Sequence, residues 1–132
     1  MEYNYRRTKT TVSLINYHFV FCPRYRRKIF LNERIDNRFK ALVSEVAMKH
    51  DFKIVALETD KDYCHIFLNA LPTYSPSDIM SKIKGGTSEI LREEFKELSS
   101  MPNLWTRSYF VSTAGNVSSE TIKQYVKNQR KR

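Results

Sequence analysis

The sequence predicts an α+β fold, an antiparallel sheet in the ferredoxin-like order β-α-β-β-α-β followed by one additional C-terminal helix. Its length of 132 residues is close to the commonest size of a single domain. Short β-rich runs alternate with two long segments of helical periodicity. Only three glycines and four prolines occur, and no repeat or low-complexity stretch indicates a linker. We therefore expect one domain over residues 1–132.

The first strand and the first helix are predicted from the N-terminal third of the chain. Residues 12–22 are rich in Val, Ile, Phe and Tyr and end at Pro23, which indicates a strand. From about residue 32 to residue 50, apolar side chains recur at helical spacing. We expect an amphipathic helix there.

A hairpin and a second helix are predicted next. Two apolar runs at 52–58 and 63–71 are joined by the polar turn 59–62, which indicates an antiparallel hairpin. The second helix has a strong start signal, with Ser75 at the N-cap, Pro76 at the first helical position and Asp78 three residues after the cap. Gly85-Gly86 interrupts its apolar stripe and predicts either a close backbone approach or a break.

The C-terminal part is predicted to contain a last strand and a last helix. Residues 105–113 indicate the strand, and the helix opens near Ser118 and Ser119. The single domain is thus divided into a core at about 10–113, a hinge at about 113–117 and a helix at about 118–131. This helix must dock on the second face of the sheet or on a partner subunit.

The composition indicates a folded, soluble and strongly basic protein. Apolar residues make up 41% of the chain, yet no apolar run approaches the ~18 residues of a membrane span. The charged N-terminus lacks the apolar stretch of a signal peptide, so we expect a cytoplasmic location and no membrane partner. Cys22 and Cys64 form no CxxC pair and are expected to be free thiols.

The charge favours a polyanionic partner, nucleic acid above all. Twenty-three Lys and Arg residues stand against 14 Asp and Glu, which gives a net charge of +9. The basic residues cluster at 6–7, 24–28 and 127–132. Any one cluster could be ordinary solvated surface, but three together argue against that reading.

The polar residues of the hairpin point to two different faces. Alternation along its second strand places Tyr63 and His65 on one face and Cys64 on the other, so Cys64 and His65 form a poor joint metal site. A lone histidine on a strand is more often structural than functional, and the same holds for His18 and His50.

The last helix brings a tyrosine and a glutamine to its docking face. Ile122, Tyr125, Val126 and Gln129 follow the spacing i, i+3, i+4 and i+7. In such places a tyrosine is usually a core residue and a glutamine is usually a surface residue. The residues by themselves leave both readings open.

Five blocks of the sequence, taken together, are more specific. They are NYHFVFCPRYRRK at 16–28, TDKDYCHI at 59–66, KGGTS at 84–88, LWTRSYF at 104–110 and QYVKNQ at 124–129. In this order and spacing they resemble the single-tyrosine HUH transposases of small bacterial and archaeal insertion sequences. The resemblance extends over nearly the whole chain.

The resemblance implies a transposase that cleaves and rejoins single-stranded DNA beside hairpins at the ends of an insertion sequence. Tyr125 matches the nucleophile, which forms a 5′-phosphotyrosine intermediate. A divalent ion, Mg²⁺ or Mn²⁺, is implied as cofactor, with His65 and Gln129 matching two of its ligands. Tyr63 occupies the position of the first HUH histidine, and a neutral phenol is a poor ligand for Mg²⁺. We therefore expect a weakened metal site and impaired activity.

The resemblance also implies a homodimer with composite active sites. The tyrosine helix of one subunit would dock over the metal-binding strand of the other, with Gly115 as the pivot of the hinge. DNA phosphates would be bound by the basic side chains of the segment at 24–28, and Tyr25 would stack on an unpaired base. The basic side chains are Arg24, Arg26, Arg27 and Lys28.

Two other functions stay open at this point. One is a catalytically inactive relative that is retained as a hairpin DNA- or RNA-binding protein. The other is an unrelated RNA-binding domain with a ferredoxin-like fold, which ranks lowest because no RNP-type aromatic pattern is found on the predicted strands.

Overall fold

A four-stranded antiparallel sheet organises residues 5–129, the part of the chain described by this computed structural model. The strand order is β4-β5-β3-β6, and a separate two-stranded ribbon pairs β1 with β2. The mixed class with an antiparallel sheet is confirmed. In chain order the elements are β1 (Arg6–Arg7), β2 (Val12–Ser13), β3 (Ile15–Phe21), α1 (Glu33–His50), β4 (Lys53–Asp60), β5 (Tyr63–Ala70), α2 (Pro76–Glu94), α3 (Lys96–Ser99), β6 (Phe110–Ser112) and α4 (Ser119–Lys127).

The main hydrophobic core lies between one face of the sheet and the helices α1 and α2. Phe19 and Phe21 of β3 point into it, together with Ile66 of β5. The Trp105 ring packs 5.0 Å from that of Phe21, edge to face. This aromatic packing fixes β3 and β5, which also carry the polar residues of the opposite face.

Both long helices begin at the caps that the sequence supplies. The Asn32 side chain accepts hydrogen bonds from the backbone N–H groups of Arg34 and Ile35 at the start of α1. At α2, Ser75 and Asp78 form a reciprocal capping box, and Pro76 occupies the first helical position. The predicted start of the second helix is confirmed.

The glycine pair in α2 marks a close approach of two helices and not a break. The helix runs without interruption through Gly85 and Gly86. A Cβ atom added to Gly86 would lie 2.5 Å from Val46 Cγ2 on α1, whereas one added to Gly85 would meet nothing within 4 Å. The packing of α2 on α1 therefore requires glycine at position 86 but not at position 85.

The last strand is shorter than predicted, because residues 105–109 form a loop. Trp105 makes only an isolated bridge with Pro23, and its indole N–H donates to Thr87 Oγ1 at 2.9 Å inside the core. The Lys84 ammonium donates to the carbonyl oxygens of Thr106 and Ser108, at 2.8 and 3.1 Å. These bonds draw the backbone towards α2, so pairing with β3 begins only at Phe110.

The first strand is also interrupted. The predicted run 12–22 divides into β2 and β3, and β2 pairs with β1, which the sequence did not predict. Arg6 of β1 is buried, with its guanidinium 2.6 Å from Asn69 Oδ1 and 2.7 Å from Asp51 Oδ2. The basic pair at 6–7 therefore contributes only the exposed Arg7 to the free positive surface.

Helix α4 docks on the second face of the chain's own sheet, one of the two surfaces foreseen for it. Ile122 and Val126 are buried there against Val20 and Cys22. Residues 130 and 131 of the predicted helix, with the rest of the basic cluster to 132, lie outside the described residues. None of the helices within residues 5–129 has the length and apolar character needed to cross a membrane.

Candidate catalytic face of the sheet

The second face of the sheet collects the polar residues of two neighbouring strands. β3 and β5 pair antiparallel, with Val20 opposite His65 and His18 opposite Phe67. Residues directly opposite one another in such a pair share a face. His18 and His65 therefore project from adjacent strands to the same side as Tyr63, and α4 covers part of that side.

The two histidines form a pair. His18 Nδ1 and His65 Nε2 are 2.9 Å apart, and both residues are buried. The ring of His18 also stacks on that of Phe67, with centroids 4.0 Å apart. Burial first, and then the neighbouring His18, lower the pKa of His65. The neutral imidazole, which is the form that binds metals, is thereby favoured.

The sequence analysis does not predict the contact of His18 with His65, because the strands of the two residues are separated by the whole of α1 and β4. Strand pairing in a sheet cannot be read from local periodicity. The available signal was the position of His18 inside the 16–28 block, in alternation with Asn16 and Val20.

Tyr63 lies on the same face in a less polar setting. It packs against the small cluster formed by Val20, Cys22, Ile122 and Val126. Burial, followed by the carboxylates of Asp60 and Glu58, raises the pKa of its phenol. The phenolate is disfavoured, so Tyr63 stays a weak oxygen donor.

Tyr125 is brought to this cluster by α4 but is sequestered there. Its ring lies 5.8 Å from that of Phe110, and its hydroxyl is buried without a hydrogen-bond partner within the described chain. Burial raises the pKa of the phenol. In this docked arrangement the Tyr125 oxygen is therefore neither ionised nor open to a substrate.

Gln129 lies half-buried two residues beyond α4, because the helix predicted over about 118–131 ends at Lys127. Its Oε1 accepts a hydrogen bond from Ser108 Oγ at 2.8 Å, and its Nε2 is 3.5 Å from the carbonyl oxygen of Tyr125. No hydrogen bond joins it to His65 within residues 5–129. The structure thus packs Tyr63 and Tyr125 against the same apolar cluster and pairs His65 with His18, while Gln129 is bonded to Ser108 of the 105–109 loop.

The acidic residue before Tyr63 is already engaged. Asp62 is nearly buried, and Arg26 places both Nε and a terminal nitrogen 3.2 Å from its Oδ2. Tyr25 and Arg26 reach this position through left-handed backbone conformations, with φ of 62° and 50°. Across residues 5–129, no three His, Cys, Asp or Glu side chains converge in a way that could hold an ion.

The segment 24–28 presents a basic surface beside a groove. Tyr25, Arg27 and Lys28 are exposed, while Arg26 is partly neutralised by Asp62. Arg24 is half-buried, and its Nε has no hydrogen-bond partner within the described chain. It lines a groove of about 560 Å³ between α2 and the loop at 103–107.

Further basic side chains that the sequence analysis did not select line this groove. Arg92, Arg107 and Lys84 join Arg24 there, with Glu89 as the acidic residue of the lining. Arg92 donates to the carbonyl oxygens of Met101 and Pro102, which shapes the loop. The basic side chains in its lining outnumber the acidic one, so the groove favours an anionic ligand.

Comparison with known proteins agrees with this geometry. A family model described as "Transposase IS200 like" matches residues 11–129. A transposase for the insertion sequence element IS200 from Salmonella typhimurium is 31% identical over 116 residues, which cover 86% of this chain and 75% of that protein. The ISDra2 transposase TnpA from Deinococcus radiodurans is 25% identical over 118 residues, 87% of this chain and 84% of the relative.

Solved structures share the fold. A crystal structure of a candidate transposase from Deinococcus radiodurans R1 superposes with a TM-score of 0.81 and 29% identity, over 95% of this chain and 98% of that chain. The structure of a REP-associated tyrosine transposase bound to a REP hairpin reaches a TM-score of 0.58 with 16% identity. It covers 95% of this chain and 68% of that one.

Proposed function

The chain belongs to the IS200-like transposase family, and from this membership we propose that it cleaves and rejoins single-stranded DNA at insertion-sequence ends, with Tyr125 as nucleophile. The observation that carries the proposal is the position of Tyr125. Helix α4 lays this phenol on the sheet face that displays Tyr63 and His65. The buried hydroxyl makes no close hydrogen bond among the described residues, and a role as nucleophile would account for its position.

The proposed reaction is a transfer of a phosphoryl group to the tyrosine. A bond forms between the Tyr125 oxygen and the scissile phosphorus, and the bond from phosphorus to the 3′ oxygen breaks. The phenol loses its proton, and the departing oxygen becomes a 3′-OH. Attack of a 3′-OH on the phosphotyrosine reverses these changes and rejoins the strands.

A divalent ion, Mg²⁺ or Mn²⁺, would supply polarisation of a phosphate oxygen when bound. The donors of this chain fit such an ion in part. Burial lowers the pKa of His65 and so favours its neutral form, and Gln129 carries an amide oxygen, but Tyr63 offers a phenol of raised pKa. We propose His65 and Gln129 as ligands of a site that is weakened at position 63.

The docked helix represents a resting arrangement in this proposal. The Tyr125 hydroxyl must leave its apolar cluster, and Gln129 must leave Ser108, before both can act beside His65. We propose that the segment 113–117 is the hinge, with Gly115 as pivot. In a homodimer, the same movement would allow α4 to serve the partner's sheet.

DNA would bind along the basic surface. Arg27 and Lys28 are exposed and free to contact phosphates, and Tyr25, which is 47% exposed, can stack on a base. Arg24 and the groove beside it would extend the contact, whereas Arg26 would act mainly by holding Asp62. Hairpin DNA at the element ends is the proposed partner.

The fold fits the ferredoxin-like arrangement with an added tyrosine helix. The strand order β4-β5-β3-β6 and the packing of α1 and α2 on one sheet face support this assignment. A single domain with a core at about 10–113, and a cytoplasmic location, stay predictions.

The decisive experiment uses Tyr125→Phe. The wild-type protein is incubated with Mn²⁺ and single-stranded DNA from either side of its gene, and denaturing electrophoresis is expected to show a covalent protein-DNA band. Tyr125→Phe should lose the band while its free energy of unfolding stays equal or rises by about 1 kcal/mol, since an unsatisfied buried hydroxyl is removed. Tyr74→Phe should keep the band, because it removes the hydroxyl of a tyrosine that contacts His50 on the opposite side of the sheet.

A second function is favoured by one observation, the phenol at position 63. If wild-type protein binds the hairpins but forms no covalent band with Mg²⁺ or Mn²⁺, the chain is an inactive, DNA- or RNA-binding relative. Restoring the band with Tyr63→His would assign the defect to the missing imidazole.

A further inference from the structure

We propose that His18 supplies the second imidazole of the metal site, in place of the histidine that is missing at position 63. The inference rests on the proposed function, because it concerns the ion of that reaction. β5 itself offers one imidazole only, at His65. The adjacent strand β3 brings His18 to the same face, and the two rings already touch.

The first argument is the separation of the two nitrogen atoms. Two nitrogens bound to one ion at about 2.1 Å and at right angles lie about 3.0 Å apart. His18 Nδ1 and His65 Nε2 are 2.9 Å apart. The two nitrogens now point at each other, so each ring would turn about its side-chain bonds to bring both lone pairs to a common point. A cation there would displace the proton that now joins the two rings, and His65 would stay neutral because that proton would move to its Nδ1.

The second argument is the partner of the other His18 nitrogen. His18 Nε2 lies 3.3 Å from the carbonyl oxygen of Gly115, which can only accept a hydrogen bond. Nε2 therefore carries the proton, and the lone pair of Nδ1 faces His65. A metal-binding histidine commonly donates its other N–H to a backbone carbonyl in this way, which fixes its tautomer and orientation.

The third argument is that the ring is held in place without an ion. His18 is 5% exposed and stacks on Phe67. Such packing keeps the ligand preorganised, so that binding costs little ordering of the side chain. The carbonyl that holds it belongs to the proposed hinge, so a ligand at His18 would also position the turn before α4.

No other histidine can serve this role. The chain contains three histidines, and the third, His50, ends α1. Its Nδ1 lies 3.1 Å from the Tyr74 hydroxyl and its ring stacks on Phe52, in the main core layer. His50 is thus a matched control for the loss of an imidazole.

The test measures Mn²⁺ binding by isothermal titration calorimetry. We compare the wild-type protein with His18→Gln, His65→Gln and His50→Gln. His18→Gln and His65→Gln should each weaken binding at least about tenfold, and His50→Gln should leave it unchanged. Unchanged affinity in His18→Gln, or no Mn²⁺ binding by the wild-type protein, would overturn the proposal.

Two further measurements do not depend on the folding of one variant. Pulsed electron paramagnetic resonance of Mn²⁺ bound to wild-type protein should detect two imidazole nitrogens, and detection of one would contradict the role of His18. Adding Tyr63→His to His18→Gln should restore the lost affinity. The covalent DNA band of the wild-type protein is scored separately, so the strand-transfer proposal can stand when the His18 ligand fails.

Discussion

Among single residues, Lys84 carries the most perturbed charge of the site region. Its ammonium lies under the 105–109 loop, where it donates to the carbonyl oxygens of Thr106 and Ser108. Burial lowers its pKa to about 8. The same loop holds Gln129 through Ser108, so Lys84 indirectly supports the end of α4.

This burial predicts a pH dependence of stability. The unfolded chain keeps the Lys84 proton to about pH 10.4, whereas the folded chain releases it at about 8. Between these values the unfolded state binds more protons, so this residue makes the free energy of unfolding rise with pH, by up to about 3 kcal/mol. Below pH 8 the cost of the buried charge is present in full.

Denaturant unfolding at pH 7, 8, 9 and 10 checks this expectation. Lys84→Met should lack the rise that the wild-type protein shows, and Lys82→Met, at an exposed position two residues earlier, should retain it. Equal pH profiles for Lys84→Met and wild type would show that the Lys84 ammonium is better solvated than its contacts indicate.

The sequence predicts the face on which a side chain lies better than it predicts which other side chain it contacts. Alternation along β5 correctly puts Tyr63 on the face of His65, whereas the helical spacing predicted for Gln129 is wrong because α4 ends at Lys127. The choice of Ser108 by Gln129 depends on a loop without periodicity, and the choice of His18 by His65 depends on strand order. Such partners are set by tertiary packing, which local patterns do not encode.

At the scale of elements, the contact between α1 and α2 offers a matched pair of substitutions. Gly86→Ala should destabilise the protein by about 1–3 kcal/mol, because its Cβ would overlap the branched side chain of Val46. Gly85→Ala, with open space around it, should stabilise the helix by up to about 1 kcal/mol.

Thermal or denaturant unfolding distinguishes the two glycines. The double variant Gly86→Ala with Val46→Ala should recover part of the loss, because the obstructing methyl group is removed. Equal stability of the two single glycine variants would refute the close approach.

The docking of α4 can be followed through Cys22. This thiol is fully buried beneath Ile122 and Val126, and burial raises its pKa to about 12, so it should be inert while α4 is docked. Val126→Ala removes about 1.6 kcal/mol of buried methyl groups and should speed Cys22 labelling roughly tenfold. Cys64, in the main core, is the internal reference.

Mass spectrometry after timed alkylation provides the readout. Val55→Ala, at a position 61% exposed on β4, should leave both rates unchanged. Parallel acceleration of Cys22 and Cys64 would mean that global unfolding, and not release of α4, limits the reaction.

Elements with local start signals were predicted best. The caps Asn32 and Ser75 define α1 and α2 through bonds within one turn, which a sequence displays directly. The ribbon of β1 with β2 has two-residue strands and is held by Arg6 reaching Asp51, a contact across 45 positions. The predicted β6 is too long because Trp105 and Tyr109, residue types that favour strands, pack in or against the main core and not in the sheet.

For the whole molecule, the net charge of +9 favours the proposed binding of DNA. Binding of hairpin oligonucleotides should weaken steeply with salt, and each lost phosphate contact should lower the slope by roughly 0.7–0.9. Arg27→Ala should show this reduction. Lys49→Ala should leave the salt slope unchanged, because Lys49 lies at the end of α1 that is far from the 24–28 segment.

Fluorescence anisotropy over a KCl series measures these slopes. A salt slope unchanged in Arg27→Ala, and equally in Lys28→Ala, would remove the 24–28 segment from the DNA interface. Loss of binding in Arg107→Ala would extend that interface into the groove beside α2.

The two faces of strand β3 have different roles, because one packs in the main core and the other carries residues of the proposed site. Phe19 and Phe21 face the main core, while His18 and Val20 face the opposite side. Substitutions that abolish the proposed strand transfer can therefore occur on the face of His18 and Val20 without disturbing the packing of Phe19 and Phe21. A variant altered only on the side of His18 and Val20 would keep its main core, and with it a stable fold, after the proposed chemistry is lost.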